Sequence, residues 1–390
     1  MISKPIELIE EADLRQLIEG RIPESKQLEY KREMPDGSDA GKVKILKSVT
    51  AFANTQGGDL IYGMEAVKGV PTQLKPLTMP SKDEVLQRLV QLCADGVAPR
   101  LTGVRYHFVP LTEGGYVLVV RVDKSWNAPH RVTAGGHSQF YGRNAAGSYP
   151  LDVGELRQAF TLSGSIAERV RSFRADRLLM LGNGNAPVRL NSGALLVLHL
   201  VPLQSMTANT VIDFRSNSHS LMQVIPPGTQ NWDQRQNLDG IVNWAIGLNG
   251  DAKSYALLFR TGAIEVVMVQ RPWEGEKVIY SDSYEGILLD ALKVYFVALS
   301  KFGVAPPAYA FISFLGVTGF RFDPGGRNSR DHRDHFSDRD ALILPEVLIE
   351  DWSIDLSKIM RPAYDMIWNA FGFSHSLNFD QNDKWVGQRQ

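Results

Sequence analysis

The chain has 390 residues, with 42 lysines and arginines against 43 aspartates and glutamates, for a net charge of -1. That length exceeds one ordinary core and predicts two domains of about 150–200 residues, while near-neutrality excludes a globally basic nucleic-acid binder, so any such footprint has to be local. One cysteine, Cys93, excludes an intramolecular disulfide framework and a cysteine-rich zinc site. No apolar run approaches the roughly 20 residues of a bilayer span. Met1–Asp13 carries four acids and no long apolar stretch. The expectation is therefore no membrane partner, no secretory signal and a cytoplasmic location.

Apolar positions at Ile6, Ile9, Leu14, Leu17 and Ile18 predict an amphipathic helix over Ile6–Glu19, stopped by Gly20 and Pro23. Gln27–Lys31 alternates, with Leu28 and Tyr30 on one face and Glu29 and Lys31 on the other, the mark of a half-buried strand. Met34–Gly41 reads as a turn-rich loop, and Lys42–Ala53 returns to helical spacing. Gly57-Gly58 ends that helix, and Asp59–Met64 reads as a buried strand. Ser81-x-x-Glu84 is a capping box for a helix reaching Ala94. Strands are expected at Arg105–Val109, Tyr116–Val122 and His137–Arg143, then a closing helix at Val153–Phe160.

A second capping box, Ser165-x-x-Glu168, predicts a separate helix to about Leu181, broken by Gly182–Pro187. Beyond it, strands are expected at Ala194–Val201, Ser254–Phe259, Ile264–Val269 and Tyr309–Leu315, with a long helix at Tyr284–Lys301. The reading is α+β: a mixed-sheet domain at 1–164, a connecting helix and linker at 165–186, and a separate α/β or α+β domain at 187–390.

The segment Glu24–Lys31 carries the clearest chemistry. Glu29 and Lys31 lie on one strand face, about 6–7 Å apart along the chain, and Glu24 sits at the strand entrance. Two carboxylates beside a lysine suit a divalent-cation phosphodiesterase: the acids hold Mg²⁺ or Mn²⁺, the metal activates water, and the lysine stabilises charge. The same pattern equally suits a solvated strand face.

Glu24, Leu28-Glu29-Tyr30-Lys31, the block Ala51-Phe52-Ala53-Asn54-Thr55-Gln56-Gly57-Gly58, and Leu60-Ile61-Tyr62-Gly63-Met64 together resemble the Schlafen AlbA-2 domain family. Pro129-His130-Arg131 and Phe140-Tyr141-Gly142-Arg143 fit its end, so the resemblance spans about 10–160. It implies nucleic-acid binding, with structured RNA favoured over DNA. In the nuclease-active branch it implies a three-carboxylate, metal-dependent endoribonuclease acting on RNA such as tRNA. On that reading Glu24, Glu29 and Glu65 hold Mg or Mn and Lys31 assists; Glu65 stands where family members often have aspartate, and Asp59 is a weaker alternative third acid. Lys26, Arg32, Lys47, Asn54, Arg131 and Arg143 are the expected nucleic-acid contacts, and Lys42 and Lys44 lie nearby.

No Gly-x-x-x-x-Gly-Lys-Ser/Thr occurs, so no nucleotide cofactor is expected. His107 and His130 read as structural, Asp331–His335 as a charged loop, and Trp352, Trp368, Phe371 and Phe373 as core or an oligomer interface. Three functions stay open: a nuclease with a C-terminal sensor or specificity domain, as in phage defence; a non-catalytic nucleic-acid-binding regulator; and a homo-oligomeric interaction protein.

Overall fold

The computed structural model describes all residues except 79–80, 208–210, 215–223, 248, 271–275, 282–283, 325–334 and 388–390. The chain is α+β and divides into two compact units, Met1–Ser165 and Ile166–Gln390.

In the first unit α1 (Glu11–Glu19) follows a short 3₁₀ turn at Ile6–Leu8, where the periodicity predicted one helix. After it come β1 (Leu28–Lys31), α2 (Asp39–Ala53), β2 (Gly58–Tyr62), the hairpin β3 (Met64–Val67) and β4 (Val70–Leu74), and α3 (Lys82–Asp95). The unit continues with β5 (Val97–Ala98), β6 (Val104–Pro110), β7 (Tyr116–Val122), β8 (Arg131–Val132), β9 (Gln139–Asn144) and β10 (Gly147–Pro150). Its main sheet runs β1-β2-β7-β6, with β1 parallel to β2 and the other pairs antiparallel; a second sheet runs β10-β9-β8-β5.

Strand alternation distributes the core between the two faces of the main sheet. Leu28, Tyr30, Ile61, Val117 and Val119 pack with Ile6, Ile9 and Leu14. Leu60, Tyr62, Leu118, Val120 and Val122 pack with Leu46, Val49 and Phe52 of α2 and Leu89 of α3. Because Glu29 pairs with Leu60 and Lys31 with Tyr62 in register, both charged residues look toward the α2 side.

The Gly57-Gly58 pair is there for close approach. A Cβ on Gly57 would lie 2.7 Å from the Val122 carbonyl oxygen, and one on Gly58 would lie 2.4 Å from the Phe52 ring. These glycines press the loop onto the sheet.

One helix, α4 (Val153–Gly182), replaces the two expected around Ser165. The Ser165 hydroxyl donates to the Leu162 carbonyl at 2.8 Å, a mid-helix bond to the preceding turn rather than an N-cap.

The second unit is built on one antiparallel sheet. Its strands are β11 (Ala194–Pro202), β12 (Asp233–Gln236), β13 (Gly240–Ile246), β14 (Ala252–Phe259), β15 (Ile264–Gln270), β16 (Val278–Tyr280), β17 (Ala308–Leu315), β18 (Arg321–Asp323), β19 (Ala341–Ile343) and β20 (Val347–Ile349), with helices α5 (Glu285–Lys301) and α6 (Leu356–Ala370). The antiparallel sheet has the order β12-β13-β14-β15-β11-β17-β19, with β20 also paired to β17, while β16 and β18 form a separate parallel pair. Leu196, Leu198, Ala256, Leu258 and Val266 face α5 and α6, where Trp368 and Phe371 are buried.

On the opposite face Arg177 of α4 pairs with Glu265 through two 2.8 Å bonds, and Tyr255 and His199 also reach that carboxylate. Burial opposes ionisation of Glu265, but the bonds from Arg177 and His199 prevail and hold its pKa at about 2. Asp331–Asp334 of the charged loop lie outside the described residues. No described helix is long and apolar enough to cross a membrane.

Candidate nucleic-acid interface

Glu29 is 7% exposed, and each of its oxygens faces a cation. Lys31 Nζ stands 2.8 Å from Oε1, and Arg143 Nη1 donates to Oε2. The Ser48 hydroxyl of α2 donates to Oε1 at 3.4 Å. Arg143, 4% exposed, is consumed internally. Its Nε donates to the Ser25 carbonyl at 3.1 Å and its Nη2 to the Leu28 carbonyl at 3.2 Å, and its guanidinium lies 4.5 Å from the Phe52 ring centroid. Arg143, expected as a nucleic-acid contact, is placed inside the unit as the counter-charge of Glu29.

Glu24 and Glu65 have other duties. β1 is an edge strand, and Glu24 Oε1 accepts the free Tyr30 backbone N–H at 2.9 Å. Glu65 on β3 pairs with Arg32 at 3.2 Å, accepts from Gln73, and lies 3.9 Å from Lys75 Nζ. Among the described residues no three acid, histidine or cysteine side chains stand together as ligands for a metal. Each of the three acids named for Mg or Mn thus has partners of its own: Glu24 the Tyr30 N–H, Glu29 the two cations Lys31 and Arg143, and Glu65 Arg32 and Gln73. Asp59 is no substitute: it is fully buried in a two-bond pair with Arg121 and accepts the Ile2 N–H.

Asn54 is likewise a fastening. It caps α2 in the right-handed region, and the left-handed turn after the helix falls at Gly57. Its side chain donates to the His130 and Tyr141 carbonyls at 2.9 Å each and accepts the His130 N–H at 2.7 Å, so it fastens β8 and β9 to α2. His130 is 1% exposed, with Nδ1 2.8 Å from the Pro99 carbonyl and Nε2 2.6 Å from the Ser125 hydroxyl. Burial pushes its pKa below the usual histidine value, against the Pro99 bond. His107 contacts the Ile9 carbonyl at 3.1 Å.

The remaining expected contacts stay at the surface. Lys26 is exposed, Lys47 lies 5.3 Å from the Tyr141 ring centroid, and Arg131 donates to Ser138 at 3.3 Å. Arg32 is exposed and lines an open cleft of about 730 Å³ with Lys75, Leu77, Ser81 and Arg88. Sequence reading passed over Lys75 and Arg88. Arg88 sits on α3 seven residues beyond its Ser81 N-cap, on the turns that bound the cleft, so helical spacing from the capping box was the available signal. Arg88 has no hydrogen-bond or ion-pair partner among the described residues.

A family model described as Schlafen, AlbA_2 matches residues 24–152. No curated protein matches the chain. Among solved structures, the N-terminal domain of a RecG-related protein from Nitrosomonas europaea is 21% identical at a TM-score of 0.27, covering 37% of this chain and 95% of that one. The DIP2311 protein from Corynebacterium diphtheriae is 18% identical at a TM-score of 0.26, covering 38% of this chain and 27% of that one. Residues 24–152 thus form a Schlafen AlbA_2 domain, and that family points to a nucleic-acid-related function.

Proposed function

We propose that the N-terminal unit grips RNA in the cleft lined by Arg32, Lys75 and Arg88, and holds it without cutting it. The observation that carries this is an open cleft inside the family-matched stretch whose lining holds three cations, Arg32, Lys75 and Arg88, against two carboxylates, Glu33 and Glu84, with Glu33 3.3 Å from Arg32. Arg32 and Lys75 share Glu65, which leaves Arg88 as the cation with charge to give a phosphate. Metal-dependent cutting would require Glu29 to exchange the buried bond from Arg143 and the half-exposed pair with Lys31 for a metal ion.

The test is fluorescence anisotropy of the full chain with a labelled structured RNA, beside a variant carrying Lys75→Glu and Arg88→Glu. Binding should weaken at least about tenfold in the variant, a loss of about 1.4 kcal/mol. The same RNA is incubated with Mn²⁺ or Mg²⁺, beside a Glu29→Gln variant. Metal-dependent cleavage lost in that variant overturns the non-cutting half of the proposal, and unchanged affinity in the charge-reversal variant overturns the cleft.

A further inference from the structure

A second cavity of about 430 Å³ adjoins the first, and Arg88 lines both. Its chemistry is different. Ile45 of α2, Leu92 of α3 and Ala134 supply apolar surface, while Asp36, Asp39 and Asp95 supply carboxylates. Gly135 completes the wall at φ 59°. A Cβ there would lie 3.3 Å from Asp39 Cβ, so the turn stays open because glycine occupies it.

Three carboxylates repel a phosphate, and the two cations present do not reverse this. Lys42 is paired with Asp39 at 2.9 Å, and Arg88 stands between the two cavities. An apolar floor ringed by hydrogen-bond acceptors suits a flat, neutral group that carries N–H donors. Gln91 already donates to Asp95 Oδ2 at 2.6 Å, so the polar groups offered to an incoming ligand are mainly acceptors.

From this juxtaposition we propose that the cavity takes one unpaired nucleobase bearing an exocyclic amine, while Arg88 holds the adjoining phosphate. The proposal rests on the RNA-binding reading above and narrows it: the ligand is RNA with a single-stranded base, because a paired base keeps its amine in the duplex. The volume admits one base and its sugar edge, and stacking against apolar side chains contributes whichever amine-bearing base enters.

The experiment measures anisotropy of the full chain with labelled 12-residue RNAs of one sequence class each: oligo(A), oligo(C), oligo(U), a fully abasic strand with the same phosphates, and a duplex. Oligo(A) or oligo(C) should bind at least about tenfold more tightly than the abasic strand and the duplex, about 1.4 kcal/mol, with oligo(U) in between. In a variant carrying Asp39→Ala and Asp95→Ala, which removes both acceptors, the preference for oligo(A) or oligo(C) over oligo(U) should vanish while abasic binding persists. Both aspartates are exposed, and an unchanged melting temperature establishes that the variant is folded.

Equal binding of the abasic strand and oligo(A) overturns the base pocket and leaves the phosphate cleft standing. A preference that survives both substitutions also overturns it, by placing base recognition elsewhere. No binding to any strand overturns the RNA-binding reading itself, an outcome distinct from the other two.

Discussion

At the scale of single residues, the decisive contact is the one between Glu29 and Arg143. Removing one partner of a buried ion pair leaves an uncompensated charge and costs about 3–5 kcal/mol. Arg143→Ala should therefore lower stability by that amount in urea unfolding, whereas Arg143→Met combined with Glu29→Gln should recover most of it. A single-variant loss below about 1 kcal/mol, the worth of a surface pair, would contradict the burial described for both side chains. Spacing along β1 identified Glu29 as the residue with chemistry. It could not identify Arg143, because the partner lies 114 positions away and arrives only through the strand pairing of β9. Local sequence therefore read the arginine as a free phosphate contact.

His130 gives a pH prediction at the same scale. Its folded pKa lies below the usual 6.5, so below about pH 6.5 the unfolded chain takes up a proton that the folded chain refuses. Stability contributed by this residue is whole above that pH and falls as pH drops toward the folded pKa, at up to about 1.4 kcal/mol per pH unit. Melting temperatures of the parent chain and a His130→Gln variant between pH 5 and 8 check it. The two curves should converge toward low pH, and parallel curves would show that His130 is not buried neutral.

At the scale of elements, apolar periodicity located β11, β14, β15, β17 and α5 closely, because each carries a strong repeat at its own period. It failed where a local signal competed with tertiary packing. Ser165-x-x-Glu168 has the form of a capping box, yet α4 runs through it because Ile166, Val170, Arg174 and Arg177 continue one buried stripe. Pro362 concealed α6, although Leu356, Met360, Ala363, Tyr364, Ile367 and Trp368 keep helical spacing on both sides of it.

The two sites make opposite predictions. Asp355 is a true N-cap, accepting from the Ser357 and Lys358 N–H groups, so Asp355→Ala should cost about 1 kcal/mol. Ser165→Ala, within a continuous helix, should be neutral or stabilising by a few tenths of a kcal/mol. Chemical denaturation of the two variants distinguishes them, and a loss of about 1 kcal/mol at Ser165 would restore the capping-box reading.

At the scale of the whole molecule, the net charge of -1 supplies no overall attraction for a polyanion, so any steering has to come from local cations. If binding depends on Arg32, Lys75 and Arg88, at most three phosphates are neutralised, and fewer where Glu65 keeps Arg32 and Lys75. For a single strand, the logarithm of affinity should then fall with the logarithm of salt at a slope no steeper than about -2. A generally basic binder making 6–10 contacts would give a slope two to three times steeper. Anisotropy titrations from 50 to 300 mM salt measure the slope directly. Reversing Arg88 alone should reduce its magnitude by about 0.7, the share of one phosphate. A slope near zero would remove phosphates from the interface, and one near -6 would require a basic surface well beyond this cleft. The shallow slope follows from how the charge is arranged: of the cations the family block offers, Arg143 and Lys31 serve Glu29, and Arg32 and Lys75 share Glu65. The economy of the cleft then has a local cause, since two of its three cations, Arg32 and Lys75, already share Glu65 before any ligand arrives.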